Sequence, residues 1–344
     1  MISNNIKKFI PKPSRREIFT ITLLLFEVVV FSIVSENFLN IKNFETVLRN
    51  STDLAIVAIG MTLIMILGGI DISVGSSMGL VAIIVGWMLE ANVNPFIILV
   101  VALLSGTLIG VLNGLLVTKA KIPAIIATLG TSNILRALIF GMLGGMRGWL
   151  TGLPQVFGFL TKGHLAGIPI PIFLLGAFNL VFWYFTTNTA KGRHIYAVGN
   201  SAEASKLVGI DSDKTTIMSF ALLGALVGFS ALVYIGRLAS VEITVGIDLP
   251  MSAIAAAVIG GTSVKGGKGS VIGTLAGVLF IAIMKNGIVL FGIPSLWERA
   301  VVGFLIIISV VVDLFISKRI EKNQRLQVST RRLETKRELA AKGL

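Results

Sequence analysis

Apolar runs of about 17–23 residues recur along this chain, and that recurrence constrains its fold more than any single motif. About 20 consecutive apolar residues wound as a helix match the hydrocarbon thickness of a bilayer. With 54% hydrophobic and 14% charged residues over 344 positions, the apolar surface exceeds what a soluble core absorbs. The expected fold is all-α, a polytopic membrane protein of about ten transmembrane helices. The spans fall near Ile18–Val34, Leu54–Gly69, Ser77–Leu89, Pro95–Val117, Ile122–Leu143, Ile170–Phe185, Ile217–Ile235, Met251–Val264, Val271–Phe291 and Leu296–Ile316. The eighth is short and rich in small residues, which suits a helix buried among others. A basic arm (1–17) precedes this transmembrane core (18–316), and a basic tail (317–344) follows it. The N-terminus imitates a secretory signal, but no A-x-A-like site follows its apolar run, so a retained first span is expected.

Charge supplies the orientation. An even number of spans puts both termini on one side, and 22 of the 30 Lys and Arg fall on that side against 6 on the other. Arg136 and Lys285 lie within spans. Cytosolic loops carry the excess of positive charge, so both termini are expected in the cytosol. The basic tail then serves anchoring against anionic lipid and calls for no nucleic acid.

The long polar interruption Lys191–Thr216 also falls in the cytosol. Its middle suggests a short surface helix. Asn200 or Ser201 can cap it, Glu203 sits in the first turn, Lys206 follows at i+3, and Gly209 stops it. Ala202, Ser205 and Gly209 give one small-residue face that another protein can approach; the alternative is an ordinary solvated loop. The longest segment on the other side, Gly144–Pro169, holds Trp149, Pro154 and Phe157, and either caps a pathway mouth, docks a partner or merely connects.

Several chemistries are excluded or unsupported. There are no cysteines, hence no disulfide, thiol catalysis or Cys-ligated metal, and with only His164 and His194 a zinc site is not expected. No Ser/His/Asp or paired-carboxylate set stands out, so no catalytic, metal or cofactor residues are assigned. Gly260–Ser270, GGTSVKGGKGS, imitates a phosphate loop but fails the G-x-x-x-x-G-K-[ST] spacing; it is expected to be a tight cytosolic turn. In GGIDISVGSS, Asp71 and Ser73 stand at a Gly-flanked break between two spans. Asp71 either caps the next helix or meets a polar solute or gate. Thr128, Thr131, Ser132 and Asn133 line up in the fifth span and suit a polyhydroxylated neutral ligand, or glue helices together. Glu27, Arg136 and Lys285 should face the bundle, water or a span end. GTLIGVLNG (Gly106–Gly114) echoes GTLAGVLF (Gly273–Phe280), as in transporters built from repeats.

Four motifs in order carry a family resemblance: GGIDISVGS (Gly68–Ser76), NGLLVTKAKIPAIIATLGTSNILRA (Asn113–Ala137), AVGNSAEASKLVGI (Ala197–Ile210) and AIAAAVIGGTSVKGGKGSVIGTLAG (Ala253–Gly277). Together they resemble the ribose-type permeases of bacterial ABC importers, from about Arg16 to Asp313. The N-terminal stretch and LPMSAIAAAV are similar to the autoinducer-2 and rhamnose branch. Many ribose permeases carry an acidic ELDAIAA-like version of the latter. The resemblance implies a bacterial inner-membrane subunit without catalytic activity of its own. Its partners are a second permease subunit, cytosolic ATP-binding-cassette ATPases and a periplasmic solute-binding protein. On that footing Gly199, Asn200, Ser201, Ala202, Glu203, Ala204, Ser205, Lys206 and Gly209 form the coupling helix. Asp71, Ser73, Thr128, Thr131 and Asn133 belong to the solute path or its gate. The preferred solute is autoinducer-2, with rhamnose, ribose or another monosaccharide next; an ion-driven secondary transporter, an intramembrane enzyme and a structural membrane component are the competing classes.

The charge asymmetry makes a topological prediction. Reporter domains fused after Lys121, Asn200, Gly267 and Leu344 should report cytosol, and fusions near Gly148 and Ile243 periplasm. A cytosolic signal at Gly148 would overturn the ten-span arrangement.

Overall fold

The computed structural model describes residues 15–145, 149–294, 296–309 and 311. The basic arm up to residue 14 and the tail from 317 lie outside the described residues. Helices dominate: α1 (Arg15–Val34), α2 (Ile41–Ile66), α3 (Val74–Glu90), α4 (Pro95–Thr118) and α5 (Ala124–Met142) come first. After a short irregular segment with α6 (Phe159–Lys162) come α7 (Ile170–Asn188), α8 (Ala190–Asn200), α9 (Ala202–Leu207) and α10 (Ser212–Leu238). The series closes with α11 (Leu249–Ile259), α12 (Val271–Leu290) and α13 (residues 296–309). Among the described residues, α2, α4, α5, α7, α10 and α12 are long and apolar enough to cross a membrane. The apolar parts of α1, α3 and α11 are shorter.

Local chemistry sets most boundaries. Asn40 accepts from the Lys42 amide to start α2, Asn94 from Phe96 to start α4 with Pro95 behind it, and Ser270 from Gly273 to start α12. At α10 the Asp211 carboxylate accepts from the Lys214 amide, a bond that holds its pKa below the ordinary carboxylate value. Several boundaries differ from the sequence expectation, two of them informatively. The second span begins at Ile41 rather than Leu54, because the helix extends through a polar turn bearing Arg49, Asn50 and Asp53. The first part of the central loop is itself helical, α8, capped by Thr189. That helix has no apolar run to announce it.

The core sits around α2, whose apolar window is 89% buried. It touches α7, α10, α11 and α12, and Ile56 to Ile66 are enclosed on every side. A helix apolar all round is one surrounded by others. By contrast the matching windows of α4, α5 and α7 are 22% buried, and Phe26, Leu104 and Ile134 are open apolar side chains of the kind that face lipid.

Glycines let the outer helices close in. On α4, a Cβ at Gly106 would overlap the Gly224 carbonyl of α10, and one at Gly110 would overlap that of Phe220. On α12, a Cβ at Gly277 would overlap the Ala256 carbonyl of α11. The two echoed sequences are therefore both places where helices pack backbone to backbone.

The all-α expectation needs one addition. Two short ribbons occur, both involving the segment Gly144–Pro169: β1 (Trp149–Thr151) pairs antiparallel with β4 (Ser240–Glu242), and β2 (His164–Leu165) with β3 (Ile168–Pro169). Ala166 and Gly167 both have positive φ between β2 and β3, as a two-residue hairpin turn requires.

Gly106→Leu should weaken the α4–α10 contact by about 1–3 kcal/mol. Gly130→Ala, where a Cβ meets open space, should leave stability equal or higher. Thermal unfolding of the purified chain in detergent reads both, and an unshifted Gly106→Leu would show that this contact is slack.

Candidate functional site

Two polar features interrupt the apolar bundle, and they meet. The first is the break between α2 and α3. Gly68 takes φ +81 and Gly69 donates to the Ile64 carbonyl, so the helix turns off at a glycine. The chain then carries Asp71 and Ser73 into the interior, 3% and 1% exposed. Asp71 Oδ1 accepts from the Ser73 amide at 2.7 Å and from the Ser73 hydroxyl at 2.6 Å. Asn113 of α4, fully buried, donates to Ser73 Oγ at 2.8 Å and lies 3.5 Å from Asp71 Oδ2. From α5, Thr128 Oγ1 accepts from the Ile72 amide at 3.1 Å and donates to the Ala124 carbonyl at 2.8 Å.

The cap expected of Asp71 is corrected by this geometry. α3 starts at Val74, three residues ahead of the expected Ser77, with Ser73 at the cap position and no side-chain cap bond. The carboxylate lies one turn too early to reach the amides of the new helix, and it closes on Ser73 instead. Asp71, Ser73 and Thr128 thus converge on one buried cluster that ties the break to α4 and α5. Thr131 bonds back to the Ala127 carbonyl of its own helix, and Asn133 is exposed; neither joins the cluster. Asn113 is a member that sequence reasoning missed. Its signal was an amide in an otherwise apolar helix.

The second feature is the foot formed by α8 and α9. Ser201 accepts from the Ala204 amide, Glu203 lies in the first turn of α9, and Gly209 at φ +82 closes it. The closing bonds run from the Gly209 amide to Lys206 and from Ile210 to Ser205. Ser212 Oγ donates to the Ala202 carbonyl at 3.2 Å, so α9 is held from both ends.

Of the expected small-residue face, Ala202 and Gly209 are open and Ser205 alone turns inward. Ser205 is buried, 4% exposed, because it is the residue that seats α9 on the bundle. Ala202, Glu203, Ala204, Lys206 and Gly209 are open, and the outermost side chains are apolar: Leu207 at 90% and Val208 at 75% exposure.

The foot and the break share a joint. The Ile66 carbonyl at the end of α2 accepts from the Gly267 amide at 2.7 Å, and Gly199 of α8 packs against the same carbonyl without room for a Cβ. Tyr196 Oη donates to the Gly269 carbonyl at 3.0 Å. The glycine-rich turn, closed by the Ser263 amide on the Lys268 carbonyl, therefore clasps α8 to the end of α2. Gly199 belongs to this joint, and Asn200 borders it, with its side chain beside Gly267 while it stays exposed. Beside it, Lys119 Nζ lies 2.9 Å from Asp213, a bond that raises the lysine pKa above its ordinary value.

The ionisable residues inside spans are also accounted for. Arg136 donates to the Ile243 and Val245 carbonyls at 2.8 and 3.0 Å, holding the segment before α11. Lys285 lies 3.3 Å from Ser252 Oγ and 3.9 Å from Glu298. Glu27 is buried on α1, its Oε2 without a hydrogen-bond partner among the described residues. Arg136 and Lys285 are half-buried and turned to protein partners, as the cost of about 3 kcal/mol for a charge in lipid at mid-depth favours. Among the described residues there is no cluster of acidic or histidine side chains able to hold a metal.

A helical bundle with a polar broken helix and a clasped polar foot is the architecture of a membrane permease component. The chain belongs to the family described as "Branched-chain amino acid transport system / permease component", which it matches over residues 43–310. It is a multi-pass protein of the bacterial inner membrane. It is 35% identical to the ribose import permease protein RbsC of Haemophilus influenzae over 86% of this chain and 92% of that one. It is also 35% identical to RbsC of Escherichia coli K12, over 84% and 91%. To the autoinducer 2 import system permease protein LsrC of Photorhabdus laumondii it is 32% identical, over 93% and 96%. No solved structure matches the chain.

Asp71→Ala would strip the buried Ser73 amide and hydroxyl of their shared acceptor, a loss of about 1–3 kcal/mol. Asp71→Asn keeps one acceptor oxygen and should lose less. If unfolding in detergent is the same for Asp71→Ala and the unaltered chain, the cluster does not hold the break.

Proposed function

We propose that this chain is the membrane-spanning subunit of an ATP-binding-cassette importer for a small, neutral, polyhydroxylated solute. It would work with a second permease subunit, cytosolic ATPases and a periplasmic solute-binding protein, and leave nucleotide hydrolysis to the ATPases. Support comes from relatives over almost their whole length that are named for ribose and autoinducer 2 import. The family description also covers branched-chain amino acids, so membership alone leaves the solute open. Autoinducer-2 is the first compound to test, followed by rhamnose and ribose. In this reading Thr131 and Asn133 contact the solute, and the Asp71–Ser73–Thr128 cluster acts indirectly, by fixing the break as a gate.

With ten spans and both termini in the cytosol, the foot would lie on the cytosolic face. The observation that carries the coupling role is the apolar tip. Leu207 and Val208 are nearly free of contacts within the chain, on a helix too tightly capped to be a flexible linker. They suit an apolar groove on the ATPase, with Glu203, Ala204 and Lys206 at its rim. Force applied there reaches the break through Gly199 and the Ile66 carbonyl.

Ala204→Arg and Leu207→Asp should insert in the membrane as the unaltered chain does, yet lose ATPase co-purification and uptake by about 30-fold or more. Ser329→Arg in the tail is the control that should leave both intact. Full binding and transport by the two foot variants would reduce the foot to a connector, and uptake that survives removal of the ATPase would favour an ion-driven carrier.

A further inference from the structure

At the opposite end of α2 from the foot, about 18 Å along the helix from Ile66, lies a cavity of 430 Å³. It is walled by α2, α10, α11 and α12, with the segment after β4 and the start of α13 around it. Four carboxylates, Asp53, Glu242, Asp248 and Glu298, and two cations, Arg237 and Lys285, line this one space. Asp53 pairs with Arg237 at 2.8 Å, and Asp248 with Arg299 at 2.8 Å. A second cavity of 420 Å³ shares Asp248, Ser252, Lys285 and Glu298 with it, so the polar space continues towards α13.

The space lies at the end of the bundle: Glu242 and Asp248 are exposed, so water and a polar solute can reach it, while Asp53 is buried. The groups are also not fully engaged: Arg237 Nε is buried without a partner among the described residues, although its other nitrogens bond Asn50 and Asp53. Lys285 reaches only weak bonds, 3.3 Å to a hydroxyl and 3.9 Å to a carboxylate. Tyr234 supplies an aromatic surface at the same wall. The volume lies in the range of small-ligand pockets.

We propose that this cavity is a solute-binding site carried within each permease chain, for a neutral polyol of monosaccharide size. Alternating carboxylates, amides and cations supply the acceptors and donors that hydroxyl groups need. The excess of carboxylates over cations disfavours phosphorylated sugars and other anions. The site rests on the sugar-import reading above and deepens it. It places a solute contact inside one chain, on side chains that neither the polar break nor the outward face of α5 supplies.

The test uses the full complex without its binding protein, followed by thermal unfolding in 10 mM autoinducer-2, D-ribose, L-rhamnose or D-ribose 5-phosphate, the concentration being an assay choice of about that order. At least one neutral compound should raise the unfolding temperature, and ribose 5-phosphate should not. Thr244 is exposed at the cavity, so Thr244→Trp obstructs it without disturbing the core. That variant should abolish the shift and raise the KM for uptake about tenfold with kcat and ATPase association unchanged, while Thr244→Ala should keep both. If the unaltered complex imports one of these compounds but Thr244→Trp imports it with the same KM, the cavity is not a solute site although the import reading stands. If the complex imports none of them yet shows a shift that Thr244→Trp removes, the cavity stands and the import reading falls.

Discussion

A helix enclosed on every side leaves its neighbours little freedom, and α2 is such a helix. Everything around it has to fit within one helix diameter of it, which forces the surrounding helices against each other at backbone distance. That is why glycines meet carbonyls with no room for a Cβ, Gly106 against Gly224 and Gly277 against Ala256. In a bilayer this arrangement has a second advantage. Lipid is as apolar as leucine, so close van der Waals packing replaces the hydrophobic effect as the source of cohesion.

The same enclosure makes the end of α2 a critical point. Backbone groups in a membrane have no water to fall back on, so an interrupted helix is tolerated only where protein satisfies it. Here the break is answered from three directions, by Asn113 of α4, Thr128 of α5 and the Gly267 amide. The foot is answered by the same joint. Structural integrity and the proposed route for transmitting motion would therefore use the same few atoms.

Much of this was legible in the sequence, for reasons that differ by element. Apolar length and small-residue content located the spans and the buried α11, because both are dictated by the solvent. Serine, glutamate and glycine at fixed offsets located α9, because its ends depend on local bonds alone. What the sequence did not carry was direction. Ser205 and Leu207 are two residues apart on one turn, and only the tertiary seat of α9 decides that the first is buried and the second open. For the same reason Asp71, whose type and spacing suit a cap, is spent on Ser73, since the path of the chain after Gly68 sets where the carboxylate lands. The polar cavity was illegible altogether. Its lining comes from residues 53, 237, 242, 248, 285 and 298, which no local pattern groups together.

The joint at the Ile66 carbonyl also has a consequence in time. Its three participants stand at positions 66, 199 and 267, so the end of α2 acquires its last hydrogen bond only after some 200 further residues have been synthesised. Contacts of such long sequence separation form late. Until the glycine-rich turn has emerged, α8 rests on α7, α10 and the end of α2 without the clasp that ties the three together. A nascent chain would thus complete the mount of its apolar tip only once nearly four-fifths of it exists, which on the proposed coupling role would delay docking of the ATPase until the bundle behind the foot is built.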